Sequence, residues 1–183
     1  MIIGLTGTIG AGKGTVVEYL LQHHNFRHYS VRDVLVMELT KLGKELTRDN
    51  MLWMAIKLRE ENGAGYFMET LLAEAEKSGG DSIIESIRTV GEVEAMREKS
   101  KNFILFAVDA DPKIRYERII KRNNSTDRIS FEKFMEDEAN ESFSTEKWKN
   151  NLPACSALAD YTFHNNGNVE DFFAQVEEVM KKL

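Results

Sequence analysis

Two rhythms of apolar and polar positions alternate along the chain. Ile2 to Thr6 is a short apolar run ending in glycines, the pattern of a buried strand. Lys13 to His24 then carries Val16, Val17, Tyr19, Leu20 and Leu21 as a helical stripe. Phe26 to Tyr29 predicts a second strand. Ser30 is placed to cap a helix through Val31, Val34, Leu35 and Leu39 that stops near Gly43. Arg48 to Glu61 and Tyr66 to Lys77 predict amphipathic helices parted by Asn62-Gly63-Ala64-Gly65. Ser82 to Glu85 predicts a third strand, Glu92 to Lys99 a helix and Phe103 to Val108 a fourth strand. Asp111 caps and Pro112 opens a helix to about Arg122. A polar, turn-rich tip at 123–127 follows, then a helix from Phe131 to Phe143, a strand at Tyr161 to His164, an Asn-Gly turn and a final helix from Val169. Five short apolar strands, each followed by helix, predict an α/β fold: a parallel sheet covered on both faces, within one domain spanning 1–183.

Composition narrows the picture. At 183 residues and 42% hydrophobic, with a net charge of only −6, the chain has the material for one core and is too apolar for disorder. Thirty acidic residues against 24 basic ones argue against broad binding of extended nucleic acid. The lone Cys155 excludes an internal disulfide framework and a cysteine zinc site. No apolar run approaches the roughly 20 residues needed to span a bilayer. The opening Met1-Ile2-Ile3-Gly4-Leu5 lacks a charged leader, so the expected location is cytoplasmic.

Chemistry enters between the first strand and the first helix. Gly7-Thr8-Ile9-Gly10-Ala11-Gly12-Lys13-Gly14-Thr15 satisfies the phosphate-loop pattern, with Gly14 between the Lys and the Thr. Its glycines let backbone N–H groups close around phosphate oxygens, and the helix N-terminus favours anions. Lys13 reaches the β- and γ-phosphates in such a loop. A Mg²⁺-binding hydroxyl comes from Thr15 or from elsewhere, since position 14 is Gly. A Rossmann dinucleotide reading fails, because Gly7-x-x-Gly10-x-Gly12 has the wrong spacing for G-x-G-x-x-G.

Gly10-Ala11-Gly12-Lys13-Gly14-Thr15 is the form of the loop in adenylate kinase and its nucleoside monophosphate kinase relatives. Gly4 to Gly10 also resembles dephospho-CoA kinase. Tyr29 to Leu35 resembles the Ser-x-x-Asp-x-Leu segment that opens the monophosphate-binding helices. Glu85-Ser86-Ile87-Arg88-Thr89 is similar to the Asp-Gly-Phe-Pro-Arg-Thr segment, and Glu117 to Arg122 to the arginine pair that leads into the lid. Ala159-Asp160-Tyr161 with Asn165-Asn166-Gly167 resembles the closing strand of dephospho-CoA kinase and its relatives.

The resemblance implies a three-layer P-loop kinase with strand order 2-3-1-4-5, an acceptor-binding part at about 30–80 and a lid at about 118–150. It implies ATP and Mg²⁺ as cofactors and small nucleotide substrates for a monomer or homodimer. The implied reaction is transfer of the γ-phosphoryl group of ATP to a small acceptor, foremost a nucleoside monophosphate. The alternatives are dephospho-CoA kinase-like transfer to a hydroxyl and a nucleotide-binding regulatory ATPase. Gly7, Thr8, Gly10, Ala11, Gly12, Lys13, Gly14, Thr15 and Arg118 would bind the donor, and Arg32, Asp33 and Arg88 the acceptor. Lys13, Arg88, Arg118 and Arg122 would carry catalysis, and Thr15 and Glu85 would hold the metal.

Bland readings stand beside these roles. Arg88 is otherwise a surface partner of Glu92 or Glu94, Glu85 an ion-paired carboxylate, and Asp33 an acidic residue favoured in a first helical turn. Asp33 is also the candidate base for a hydroxyl acceptor. Arg118 and Arg122 share a helix face that is otherwise solvated, and Arg128 joins them or pairs with Asp127. Two departures from adenylate kinase are plain: Val36 replaces a second acceptor arginine, with Arg32 one turn earlier, and the helix from Phe131 is acidic where further arginines are usual. His28, Asp109, Asp111, Cys155 and Trp53 read as structural.

Overall fold

Alternation along the first strand decides the layering. In chain order the elements are β1 (Ile2–Gly7), α1 (Lys13–His23), β2 (Arg27–Ser30), α2 (Val31–Lys41), α3 (Arg48–Asn62), α4 (Tyr66–Ser78), β3 (Ser82–Glu85), α5 (Val90–Lys99), β4 (Phe103–Asp109), α6 (Pro112–Arg122), α7 (Phe131–Asn140), α8 (Leu152–Ala157), β5 (Tyr161–His164) and α9 (Val169–Met180). The structure, a computed structural model, describes residues 1–122, 129–140, 144 and 146–183. The strands form one sheet of order β2-β3-β1-β4-β5, and every pairing in it is parallel. That is the order the resemblance implied.

Ile3 and Leu5 join Val16, Val17 and Leu20 of α1 and Phe172 and Val176 of α9 in one core. Ile2 faces the other way, into a second core with residues of α2, α3, α4 and α5. Each fully buried side chain of this kind contributes about 1.5–3 kcal/mol. The register aligns Ser30, Glu85, Leu5, Phe106 and Tyr161 across the sheet. The loops that follow these residues therefore gather at the C-terminal edge, where ligands bind in open α/β sheets.

Most element boundaries fall within a residue or two of the sequence pattern. Ser30 is both the last residue of β2 and the cap of α2, its hydroxyl accepting the Arg32 N–H at 3.2 Å. Asp111 caps as expected, its Oδ1 accepting from Lys113 N at 2.9 Å. Helix α5 starts at Val90 rather than Glu92, because Thr89 and Glu92 form a capping box in which each side chain accepts the other's backbone N–H. The short α8 was not anticipated. Asn151 caps it by accepting from Ala154 N, and it buries Leu152 and Cys155. Cys155 is thus a core residue, and burial, with the Glu92 carboxylate nearby, pushes its thiol up to about 12. The 123–127 tip, Arg128 and the last residues of the helix expected to reach Phe143 lie outside the described residues.

Candidate active site

The loop from Gly7 to Gly12 crosses the top of β1 and enters α1 through Gly12, whose φ of 110° belongs to the left-handed region. A Cβ at Gly12 would lie 2.2 Å from Asn165 Nδ2, so both its backbone and its surroundings require glycine. No side chain caps the N-terminus of α1, which leaves the helix dipole facing the loop. Lys13 Nζ donates to the carbonyls of Gly7 (2.7 Å) and Thr8 (2.9 Å), which holds the ammonium over the loop.

Two residues far along the chain brace this loop. Asn165, buried at the end of β5, donates from Nδ2 to Ala11 O (2.8 Å) and accepts at Oδ1 from Arg118 Nη2 (3.2 Å). Arg115 on α6 is buried: its Nε donates to Ala110 O (2.8 Å), its Nη1 to Ile9 O (3.4 Å) and its guanidinium to the Glu138 carboxylate of α7. The acidic face of α7 therefore has a partner at the loop. Its Asp137 also accepts from Arg48 Nη1 at the start of α3 (3.2 Å), so one helix ties both ends of the site together.

The turn after β3 is fixed just as firmly. Ile87 N donates to Leu5 O (3.2 Å), and Thr6 Oγ1 donates to Ile87 O (2.8 Å). Ser86, just before Ile87, is held at a φ of 77°, in the left-handed region that favours glycine. Arg88 N donates to Glu92 Oε2 (2.8 Å), and Arg88 O accepts from Asn151 N (2.8 Å). Glu92 is not a surface partner of the Arg88 side chain. It is fully buried, and its Oε1 takes both Nε (2.9 Å) and Nη2 (2.7 Å) of Arg59.

Between these pieces lies a cleft of about 740 Å³. Lys13, Thr15, Arg32, Glu85, Arg88, Arg118 and Arg122 all line it, so seven of the side chains singled out from the sequence converge on one space. Gly10, Gly12 and Gly14 line it as well. Gly7, Thr8 and Ala11 do not; they form the strand side of the loop, where two of their carbonyls hold Lys13 and the third holds Asn165. Asp33 is exposed on α2 and is absent from the lining.

Glu85 stands at the sheet edge of the cleft. Burial alone would raise its carboxyl, but the hydrogen bond from His28 Nε2 (2.9 Å) and the charges of His28, Lys13 and Arg88 outweigh it and hold the group below its ordinary range. His28, read as structural, thus acts on a candidate site residue.

Arg48, Arg59, Ser86, Arg115, Glu92 and Asn165 escaped sequence reasoning as site residues. The Thr89-x-x-Glu92 spacing was a readable capping box, and Asn165 was noticed only as part of a resemblance. Nothing local marks Arg48, Arg59 or Arg115, whose positions depend on packing between elements. Trp53, expected to pack, is instead exposed between the ammonium groups of Lys44 (5.0 Å) and Lys57 (5.4 Å). Val36, in place of an acceptor arginine, is partly buried against the core of α2–α5.

A glycine loop at the switch from first strand to first helix of a 2-3-1-4-5 parallel sheet defines a P-loop nucleotide-binding protein with the fold of the nucleoside-monophosphate-kinase-like branch. The chain belongs to the AAA domain family, whose model matches residues 3–149, and to the UPF0200 proteins. It is 34% identical over its whole length to the UPF0200 protein MJ1399 of Methanocaldococcus jannaschii, covering 90% of that protein. Among solved structures, TT1252 from Thermus thermophilus matches with a TM-score of 0.64 at 20% identity, covering 100% of this chain and 97% of that one. A shikimate kinase from Acinetobacter baumannii in complex with shikimate matches at 0.58 and 15%, covering 99% and 93%. At these identities the two structures show the fold alone. No described helix is long and apolar enough to cross a membrane.

Proposed function

We propose that this protein is an ATP-dependent kinase that passes the γ-phosphoryl group to a small anionic acceptor, foremost a nucleoside monophosphate. The observation that carries the reading is one shared cleft lined by Lys13 and Thr15 of the phosphate loop together with Arg32, Arg88, Arg118 and Arg122. Phosphoryl transfer requires little covalent help from protein; it requires positive charge around the phosphates and an in-line approach.

The loop amides and Lys13 hold the β- and γ-phosphates of ATP. Thr15 Oγ1 and the Glu85 carboxylate, hard oxygen donors on the same cleft, suit Mg²⁺, which takes one or two protein oxygens beside the phosphates. The ion, when bound, neutralises charge on the phosphates. Arg88, with Arg32, orients the acceptor, and Arg118 with Arg122 balances the charge of the group in flight. Residues of about 30–80 form the acceptor part and about 118–150 the lid, within one domain and in the cytoplasm. The pairing of α7 with both Arg48 and Arg115 supports a lid that closes over both ligands and excludes water. A phosphate acceptor needs no strong base. We favour it over a hydroxyl acceptor because Asp33, the candidate base, lies outside the cleft lining.

ADP formation from ATP and Mg²⁺ across ribo- and deoxynucleoside monophosphates, dephospho-CoA and a no-acceptor blank tests the reading. One acceptor should raise turnover well above the blank, and Lys13→Ala should lower it by about 10²–10³-fold. Turnover equal to the blank for every acceptor, in a protein that binds ATP, would replace the kinase with a regulatory ATPase.

A further inference from the structure

Arg59 presents an unusual balance sheet. Only 2% of the residue is exposed, and its guanidinium lies 5.0 Å from the centre of the Phe67 ring. Nε and Nη2 both donate to Glu92 Oε1, while Glu92 Oε2 is taken by the N–H groups of Arg88 and Thr89. Every oxygen lone pair that Glu92 turns toward Arg59 is thus engaged by Nε and Nη2. Arg59 Nη1 has no hydrogen-bond partner among the described residues, yet the residue lines the cleft. A guanidinium N–H shut away from solvent without an acceptor carries the full desolvation cost of a charged donor, and folded proteins keep few such groups without a ligand to complete them.

The surroundings say what that ligand carries. Nη1 is a donor only, so its partner is an acceptor, and Arg32 and Arg88 line the same cleft, together with the Asp137-paired Arg48. Leu35, Met51 and Ala55 supply an apolar wall that strengthens any charge pairing beside it. A second buried guanidinium nitrogen, Arg118 Nη1, is likewise without a partner, and it sits at the phosphate-loop end through its bond to Asn165. Two residues of the cleft lining therefore each keep one uncommitted buried guanidinium nitrogen, and of the two only Arg118 is bonded to the residue that braces the phosphate loop.

We propose that Arg59 Nη1 is the buried anchor for an anionic group of the acceptor, a phosphate or a carboxylate. The inference rests on the kinase reading above for the word acceptor, but the anion site itself does not. Glu92 then has two tasks: it neutralises one edge of the Arg59 guanidinium and leaves the Nη1 of this cleft-lining residue uncommitted, while its second oxygen holds the Arg88 turn of the same cleft.

Arg59 can be followed directly in full-length protein carrying ¹³C,¹⁵N-labelled arginine, with the phosphate loop filled by saturating ADP and Mg²⁺. Inorganic phosphate and malonate are titrated separately, and the Arg59 signals are assigned by their loss in Arg59→Lys. The expected result is a saturable shift of the Arg59 side-chain signals with one or both anions. Phosphate alone, or malonate alone, upholds the anchor and names its group. Arg59→Lys keeps a charge beside Glu92 but removes Nη1, and should weaken that anion by at least about tenfold. No Arg59 shift with either anion at saturation overturns the proposal. The two readings fail separately. Arg59 responding in a protein without acceptor-dependent turnover removes the kinase alone. Turnover on an acceptor whose KM is unchanged in Arg59→Lys, with Arg59 silent in the spectra, removes the anchor alone.

Discussion

The phosphate loop and the proposed acceptor residues of the cleft are built from different materials. The phosphate-loop end comes from consecutive residues, Gly7 to Thr15, and works through backbone groups, a helix terminus and one lysine. The proposed acceptor side draws side chains from α2, α3 and the β3–α5 turn, and one buried carboxylate, Glu92, joins the last two through Arg59 and the Arg88 N–H. A backbone cradle depends on few side chains beyond its glycines and its lysine. A side-chain constellation is re-specified by single substitutions, which is how one fold serves many acceptors.

Removing the hub should separate the two ends. Glu92→Ala leaves Arg59 buried without its counter-charge and releases the N–H groups of Arg88 and Thr89, so stability should fall by about 3–5 kcal/mol in urea unfolding. The folded fraction should still bind ATP, because the hydrogen bonds of Glu92 go to Arg59, Arg88 and Thr89 and not to the loop. Equal loss of ATP binding in that folded fraction would mean that the ends are one unit.

The matching change at the donor end is smaller. Asn165→Ala deprives Ala11 O of its donor and frees Arg118, and should cost about 1–3 kcal/mol, with weaker ATP binding measured by calorimetry. Unchanged ATP affinity would show that Asn165 supports the fold without shaping the loop.

This difference in material also decides what a reader of the sequence can see. The strands, most helices and the glycine loop are local: Ile2–Gly7 is a buried apolar run, Ser30 and Asp111 are caps, and the loop's spacing is its signature. Arg88, Glu85 and Arg32, which line the cleft, are legible as candidates because each ends or follows a strand or opens a helix beside one. Arg59 was not found, since a basic residue in the last turn of α3 reads as an exposed partner for the helix dipole. Only its pairing with Glu92, 33 residues further on in α5, turns it inward. The acidic α7 misled for the same reason: Glu138 and Asp137 have their partners on α6 and α3. Helix α8 is six residues long, too short to show a periodicity of its own.

Within the loop itself the glycines are unequal. Gly14 belongs to α1, and a Cβ there would meet no protein atom within 4 Å. Gly14→Ala should therefore raise stability by about 0.4–1 kcal/mol in thermal unfolding, through reduced freedom of the unfolded chain. A loss of stability would show that the first turn of α1 has less room than its geometry gives.

The smallest expected effect joins the two ends through Glu85. Its carboxyl is buried enough to be raised on that account alone, but His28 on the neighbouring strand, then Lys13 and Arg88, hold it below the ordinary carboxyl value of 4.5. A depressed folded value means that this contribution to stability is fully present above 4.5 and is lost as pH falls through the lower folded value. His28→Ala removes the hydrogen bond and leaves only the cleft's own charges to oppose burial, so the Glu85 carboxyl should titrate at higher pH, read from its ¹³C signal. The acid limb of turnover should move the same way, since an ionised Glu85 is what the proposed metal role requires. The stability gap between the two proteins should be present at neutral pH and close under acid conditions that protonate Glu85 in both. An unmoved Glu85 signal would mean that Lys13 and Arg88 alone hold the carboxylate, and that the β2 edge takes no part in the site.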